Sequence, residues 1–141
     1  MHTDIEPLLS ATEELLGLRL TILDWHGGLA MADNGRLLPP HRRGHSCWEP
    51  CRIGFCRKCT DDCRLACGAQ ALRQITPFAV ECWKGIRQIV VPLRRENYLS
   101  GILFAGPWRG QRKLNMRHPA YAAWHSLPRL DPYHEGKLVH L

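Results

Sequence analysis

A chain of 141 residues has room for one domain with a true core and not for two. Its hydrophobic content of 45% is ordinary, and no stretch nears the ~18 apolar residues a membrane helix needs, so no membrane partner is expected. The net charge of +6 is spread over Arg42-Arg43, Arg94-Arg95 and the run Arg109 to Lys113; with no single basic stripe it reads as solvated surface and not as a nucleic-acid groove.

The N-terminus, MHTDIEPLLSATEELL, carries acids where a signal peptide has a basic segment, so a cytoplasmic location is expected. Thr3 or Asp4 caps a first helix that runs to about Leu16, with Leu8, Leu9, Thr12, Leu15 and Leu16 as its inward face, and Gly17 ends it. Leu18–Asp24 alternates and reads as a strand. Trp25 to Gly28 is a turn, and Leu29–Asp33 returns as a second strand of a hairpin. Asp33 to Ser46, with Pro39-Pro40, is a loop. A helix starts at Thr60 or Asp61, with Leu65, Ala69 and Leu72 facing the core and Pro77 beyond its end. Three strands follow, Phe78–Cys82, Ile86–Leu93 and Tyr98–Ala105, joined by the turns WKG and RREN. Pro119 to Ser126 is a short helix.

Asp131-Pro132 starts a last helix, with Leu138 and Leu141 in phase at the end of the chain. Residues 1–130 are thus expected to form one domain, and 131–141 to begin a connecting helix to an output domain outside this chain. The element order predicts an α+β fold: a mixed, mostly antiparallel five-stranded sheet with helices on one face, as in PAS-like and GAF-like sensor domains.

The chemistry-bearing residues are concentrated. Six of the seven cysteines lie between Cys47 and Cys67, and the seventh is Cys82. Cys56-x-x-Cys59 has the spacing of zinc and iron–sulfur ligands, and Cys47, Cys51, Cys63 and Cys82 can complete a set. Cys59, Cys63 and Cys67 also form one stripe on a helix, where cysteine packs as a small hydrophobe. Arg52, Arg57, Lys58 and Arg64 are close enough in sequence to favour thiolates, so a redox role stays open beside packing and metal binding. His45 precedes the cluster, and Trp48 and Trp83 flank it, as aromatic walls with a polar handle do in small-molecule sites. His41, His118, His125 and His134 have no ligand-like spacing and read as surface. There is no GxSxG, no HExxH and no phosphate-binding glycine loop, so no enzyme is expected. A basic zinc ribbon needs two spaced cysteine pairs, and Cys82 lacks a close partner.

Four stretches carry a resemblance: GLRLTILDWHG, CTDDCRLA, TPFAVECWKGIRQIVVPL and LSGILFAGP. Over about residues 6 to 110 the chain resembles the PocR sensory domain, a PAS-like ligand-binding module attached to AraC-type transcription regulators and histidine kinases. The family's signature positions correspond to Cys59, Asp61, Asp62 and Ala66, then Pro77, Cys82 to Gly85, Pro92-Leu93 and Gly101 to Gly106. Trp83 stands where the family has histidine, and Pro107 where it has glutamine.

The resemblance implies a sensor of a small metabolite, apolar or diol-like, that reaches DNA only through a domain outside this chain; a homodimer stays open. It marks Cys59, Cys82 and one upstream thiol, Cys47 or Cys51, as the functional cysteines. The expected ligand-binding residues are Trp83, Glu81, Cys82, His45 and Trp48. The alternative is a zinc or iron–sulfur module with Cys47, Cys51, Cys59 and Cys82 as ligands.

Overall fold

A computed structural model describes residues 6–24, 57–60, 66–129 and 135–136. Four antiparallel strands form one sheet: β1 (Arg19–Asp24), β2 (Phe78–Glu81), β3 (Ile86–Arg95) and β4 (Tyr98–Arg109). Their spatial order is β1-β4-β3-β2. Three of them make the expected meander. β1 lies along the far side of β4, with Leu20 opposite Ala105 and Ile22 opposite Leu103. The expected partner strand Leu29–Asp33 lies outside the described residues; among these the sheet has four strands.

Alternation along the strands sends Phe78, Val90, Phe104, Ile102 and Leu23 to one face. That face packs against α3 (Cys67–Arg73) and forms the main core. Burying several such side chains contributes about 1.5–3 kcal/mol each. The helix meets the sheet through Cys67, Gly68 and Ala71. The predicted face of Ala69 and Leu72 instead points to solvent, with Leu72 53% exposed. Small side chains let the helix backbone sit close to the bulky strand residues, a preference that ranking positions by hydrophobicity misses. Leu65 lies outside the described residues.

α1 (Glu6–Leu16) also turns a different face inward. Leu8, Leu15 and Leu16 are exposed, Leu15 at 84%, while Leu9, Thr12 and Glu13 are half-buried. The deciding contact is polar: Glu13 Oε2 accepts the Leu20 backbone N–H at 2.8 Å and ties the helix to β1. Gly17, at φ 66, closes the helix as expected, its N–H on the Glu13 carbonyl at 2.8 Å.

A single helical turn, α2 (Arg57–Thr60), precedes α3 and begins earlier than the predicted start at Thr60 or Asp61. α4 (Tyr121–His125) sits within the predicted Pro119 to Ser126 helix. Together with Leu114, Ala120 and Leu127, its Trp124 covers Ile86 at one end of the sheet and makes a second core cluster. Of the predicted last helix, Glu135 and Gly136 are described, and both are helical. Among the described residues, no helix is long and apolar enough to cross a membrane.

Candidate functional site

The turn between β2 and β3 organises the site. The Cys82 N–H bonds the Ile86 carbonyl at 3.0 Å, and the Gly85 N–H bonds the Cys82 carbonyl at 2.9 Å. Gly85 adopts φ 74, and a Cβ there would lie 2.0 Å from the Arg112 carbonyl oxygen. Only glycine permits that turn so close to another backbone. The turn places Trp83 and Lys84 beyond the end of the sheet.

The Trp83 indole N–H donates to Cys59 Sγ at 3.3 Å. Cys59, carried by α2, is 2% exposed. Two ammonium groups lie near the Trp83 ring: Lys58 Nζ at 5.4 Å and Lys84 Nζ at 5.6 Å from its centroid. Both are within cation–π range. Lys84 is only 1% exposed. His118 meets the same ring edge-on at 5.8 Å. Its pKa is lowered from the ordinary histidine value, first by burial and then by the Lys84 charge. His118 Nδ1 accepts the Ala120 N–H at 3.0 Å, which places the neutral ring's proton on Nε2. Expected as surface, His118 is a half-buried wall of the site.

Glu81 serves the architecture around this turn. Its two carboxylate oxygens accept the main-chain N–H groups of Gln111 at 2.9 Å and Arg112 at 2.8 Å. Arg87 lies 3.8 Å from the same carboxylate and forms a bidentate pair with Glu135. That pairing raises the Arg87 pKa. Trp124 Nε1 donates to the Gly85 carbonyl at 2.9 Å, so the C-terminal segment holds the turn from its other side.

Of the expected ligand-binding residues, Trp83 stands at the centre of this group. Glu81 bonds the backbone next to it, and Cys82 is half-buried against the cluster around Ile86 and Trp124. His45 and Trp48 lie outside the described residues, as do Cys47 and Cys51 of the expected metal set. Cys59 meets Trp83, while Cys67 packs in the main core. Among the described residues, no three cysteine, histidine or acidic side chains gather to hold a metal. Lys84 and His118 were not foreseen. Lys84 is one polar residue inside a turn, and His118 is distant in sequence, so local pattern marks neither. Compared with family models, curated proteins and solved structures, the chain finds no match.

Proposed function

We propose that the chain is a small-molecule sensor: a PocR-type, PAS-like domain, with the five-stranded sheet the sequence reading calls for. In this reading residues 1–130 bind the ligand, and 131–141 lead to a DNA-binding output domain outside the chain. The observation that carries it is the Trp83–Cys59 hydrogen bond. It joins, across the fold, two of the stretches that carry the family resemblance, CTDDCRLA and TPFAVECWKGIRQIVVPL. A tryptophan ring, two ammonium groups and a thiol gather here, the mix of aromatic and polar groups that small-ligand sites use. A compact diol-like metabolite suits it, its carbons on the indole and its hydroxyls toward the ammonium groups. The protein acts by binding and not by turnover, in a cytoplasmic setting.

Signalling follows from the Arg87 pair. The strand that leaves the Trp83 turn carries Arg87, which holds Glu135 in the connecting segment. A ligand that favours one arrangement of the turn thereby favours one position of that segment, and only such differential affinity can shift the output.

A thermal-shift screen of the chain against small diols, acids and sugars tests the reading. A hit is expected, and Trp83→Ala should weaken its binding by about tenfold or more while the fold persists. A tryptophan that is only structural would instead cost about 3–5 kcal/mol of stability. No hit, or a variant that merely unfolds, overturns the assignment.

A second reading is favoured by the same bond. N–H donors to sulfur stabilise and tune metal-bound thiolates, so Cys59 with Cys47, Cys51 and Cys82 would make a zinc or iron–sulfur sensor. Metal analysis and a visible absorption spectrum of the purified chain separate the two.

A further inference from the structure

A concavity lies between α4 and the segment that follows β4. Its volume is about 300 Å³, at the lower end for small-molecule sites. Arg109, Lys113 and Arg129 supply three cations to its walls, and no carboxylate is among its lining residues that are described. Tyr121, Trp124 and His125 supply an aromatic array. The Tyr121 ring lies 5.6 Å from both neighbours, tilted 41° to Trp124 and 32° to His125.

Part of this array is rigid. Trp124 is 5% exposed and anchored by its bond to the Gly85 carbonyl. Arg109 donates from Nη1 to the His125 carbonyl at 2.9 Å, and its guanidinium lies 5.9 Å from the Trp124 ring. Its Nε is buried and has no acceptor among the described residues. The Arg109 backbone N–H bonds the Pro128 carbonyl at 2.8 Å, fixing the end of β4 to the segment beyond α4. Lys113 and Arg129 are exposed at the rim and free to adjust to a ligand.

Such walls select by charge and by shape. A carboxylate or phosphate takes charge-assisted hydrogen bonds from the guanidinium and ammonium groups. A flat ring gains the aromatic contacts. We propose that this cleft binds a small planar anion: an aromatic or heteroaromatic ring that bears a carboxylate or a phosphate. Three cations and an aromatic array line the same cleft, which favours a small ring anion over a nucleic-acid strand. The site is distinct from the Trp83 ring, and the inference does not depend on the sensor reading.

Calorimetric titration of the whole chain tests it, with benzoate and phenyl phosphate as ring anions. Benzyl alcohol serves as the neutral ring, inorganic phosphate as the anion without a ring, and a single-stranded RNA oligonucleotide as the polymer. At least one ring anion should bind about tenfold or more tighter than benzyl alcohol or inorganic phosphate. The tighter of the two tells whether the native ligand is a carboxylate or a phosphate. The double variant Lys113→Ala/Arg129→Ala should lose about tenfold in affinity with an unchanged thermal midpoint, since both side chains are exposed. Tyr121→Leu should weaken the ring anions and leave inorganic phosphate unaffected. Equal binding of benzyl alcohol, unchanged affinity in the double variant, or no binding of either ring anion at millimolar concentration overturns the proposal. Salt-sensitive RNA binding that the ring anions do not displace also overturns it, in favour of a nucleic-acid surface. Retention of ring-anion binding in Trp83→Ala separates the fate of this site from that of the sensor reading.

Discussion

Two residues beside Trp83 have properties that follow from their immediate surroundings. Gly85 combines a left-handed backbone with a main-chain oxygen 2.0 Å from where a Cβ would stand. Gly85→Ala should therefore destabilise the fold by more than about 2 kcal/mol, from the backbone penalty and the clash together. Urea unfolding measures it, and a loss below about 1 kcal/mol would mean the turn readjusts easily. His118 is held neutral by burial and by Lys84, so its folded pKa lies below the ordinary 6.5. The unfolded chain then binds more protons in that range. Stability from this residue is complete above about pH 6.5 and falls as the pH drops below it toward and through the folded pKa. His118→Asn retains an acceptor for the Ala120 N–H without the titration, and should flatten the profile between about pH 7 and 5. An identical pH profile in the variant would exclude His118 as the source.

At the scale of elements, Ala66 gives α3 no side-chain cap, and the helix's C-terminal end is held from the sheet. Arg94 Nη2 donates to the carbonyls of Ala71 at 2.9 Å and Leu72 at 3.0 Å, two groups the helix itself leaves unpaired. A cation there also meets the negative end of the helix dipole. Arg94→Ala should cost about 1–2 kcal/mol and raise hydrogen exchange in Cys67–Arg73 more than in β4. Uniform exchange across both elements would show that the helix does not depend on this cap. The β3–β4 turn carries a smaller strain, with Glu96 at φ 59. Glu96→Gly should relieve it and raise stability by up to about 1 kcal/mol, less the added entropy of the unfolded chain. A lower urea midpoint in that variant would contradict this.

Across the whole molecule, distant segments converge on one end of the sheet. Glu81 binds the chain after β4, Arg87 binds Glu135, Trp124 binds the Gly85 carbonyl, and Trp83 binds Cys59. Arg87 links β3 to Glu135. Arg87→Gln removes the bidentate pair while leaving the β3 backbone bonds in place. It should cost about 1–3 kcal/mol and make the segment around Glu135 more susceptible to limited proteolysis. Unchanged cleavage would show that this segment is secured by other contacts.

Local pattern was enough for the meander. Two-residue alternation with turn residues between runs predicts β2, β3 and β4 to within a few residues, and Gly17 marks the end of α1 because its left-handed backbone is a local requirement. The cysteine run likewise stands out by composition, but only the family resemblance singles out Cys59 and Cys82 within it. Only tertiary structure decides the rest. β1 pairs with β4, which is about eighty residues away in sequence, so no local signal specifies it. The inward faces of α1 and α3 are chosen by a carboxylate–backbone bond and by close packing of small side chains, both of which depend on the partner surface. Lys84, His118 and the Arg109–Tyr121–Arg129 cleft become functional candidates for the same reason. Each gains its chemistry from neighbours that the folded chain brings together from separate parts of the sequence.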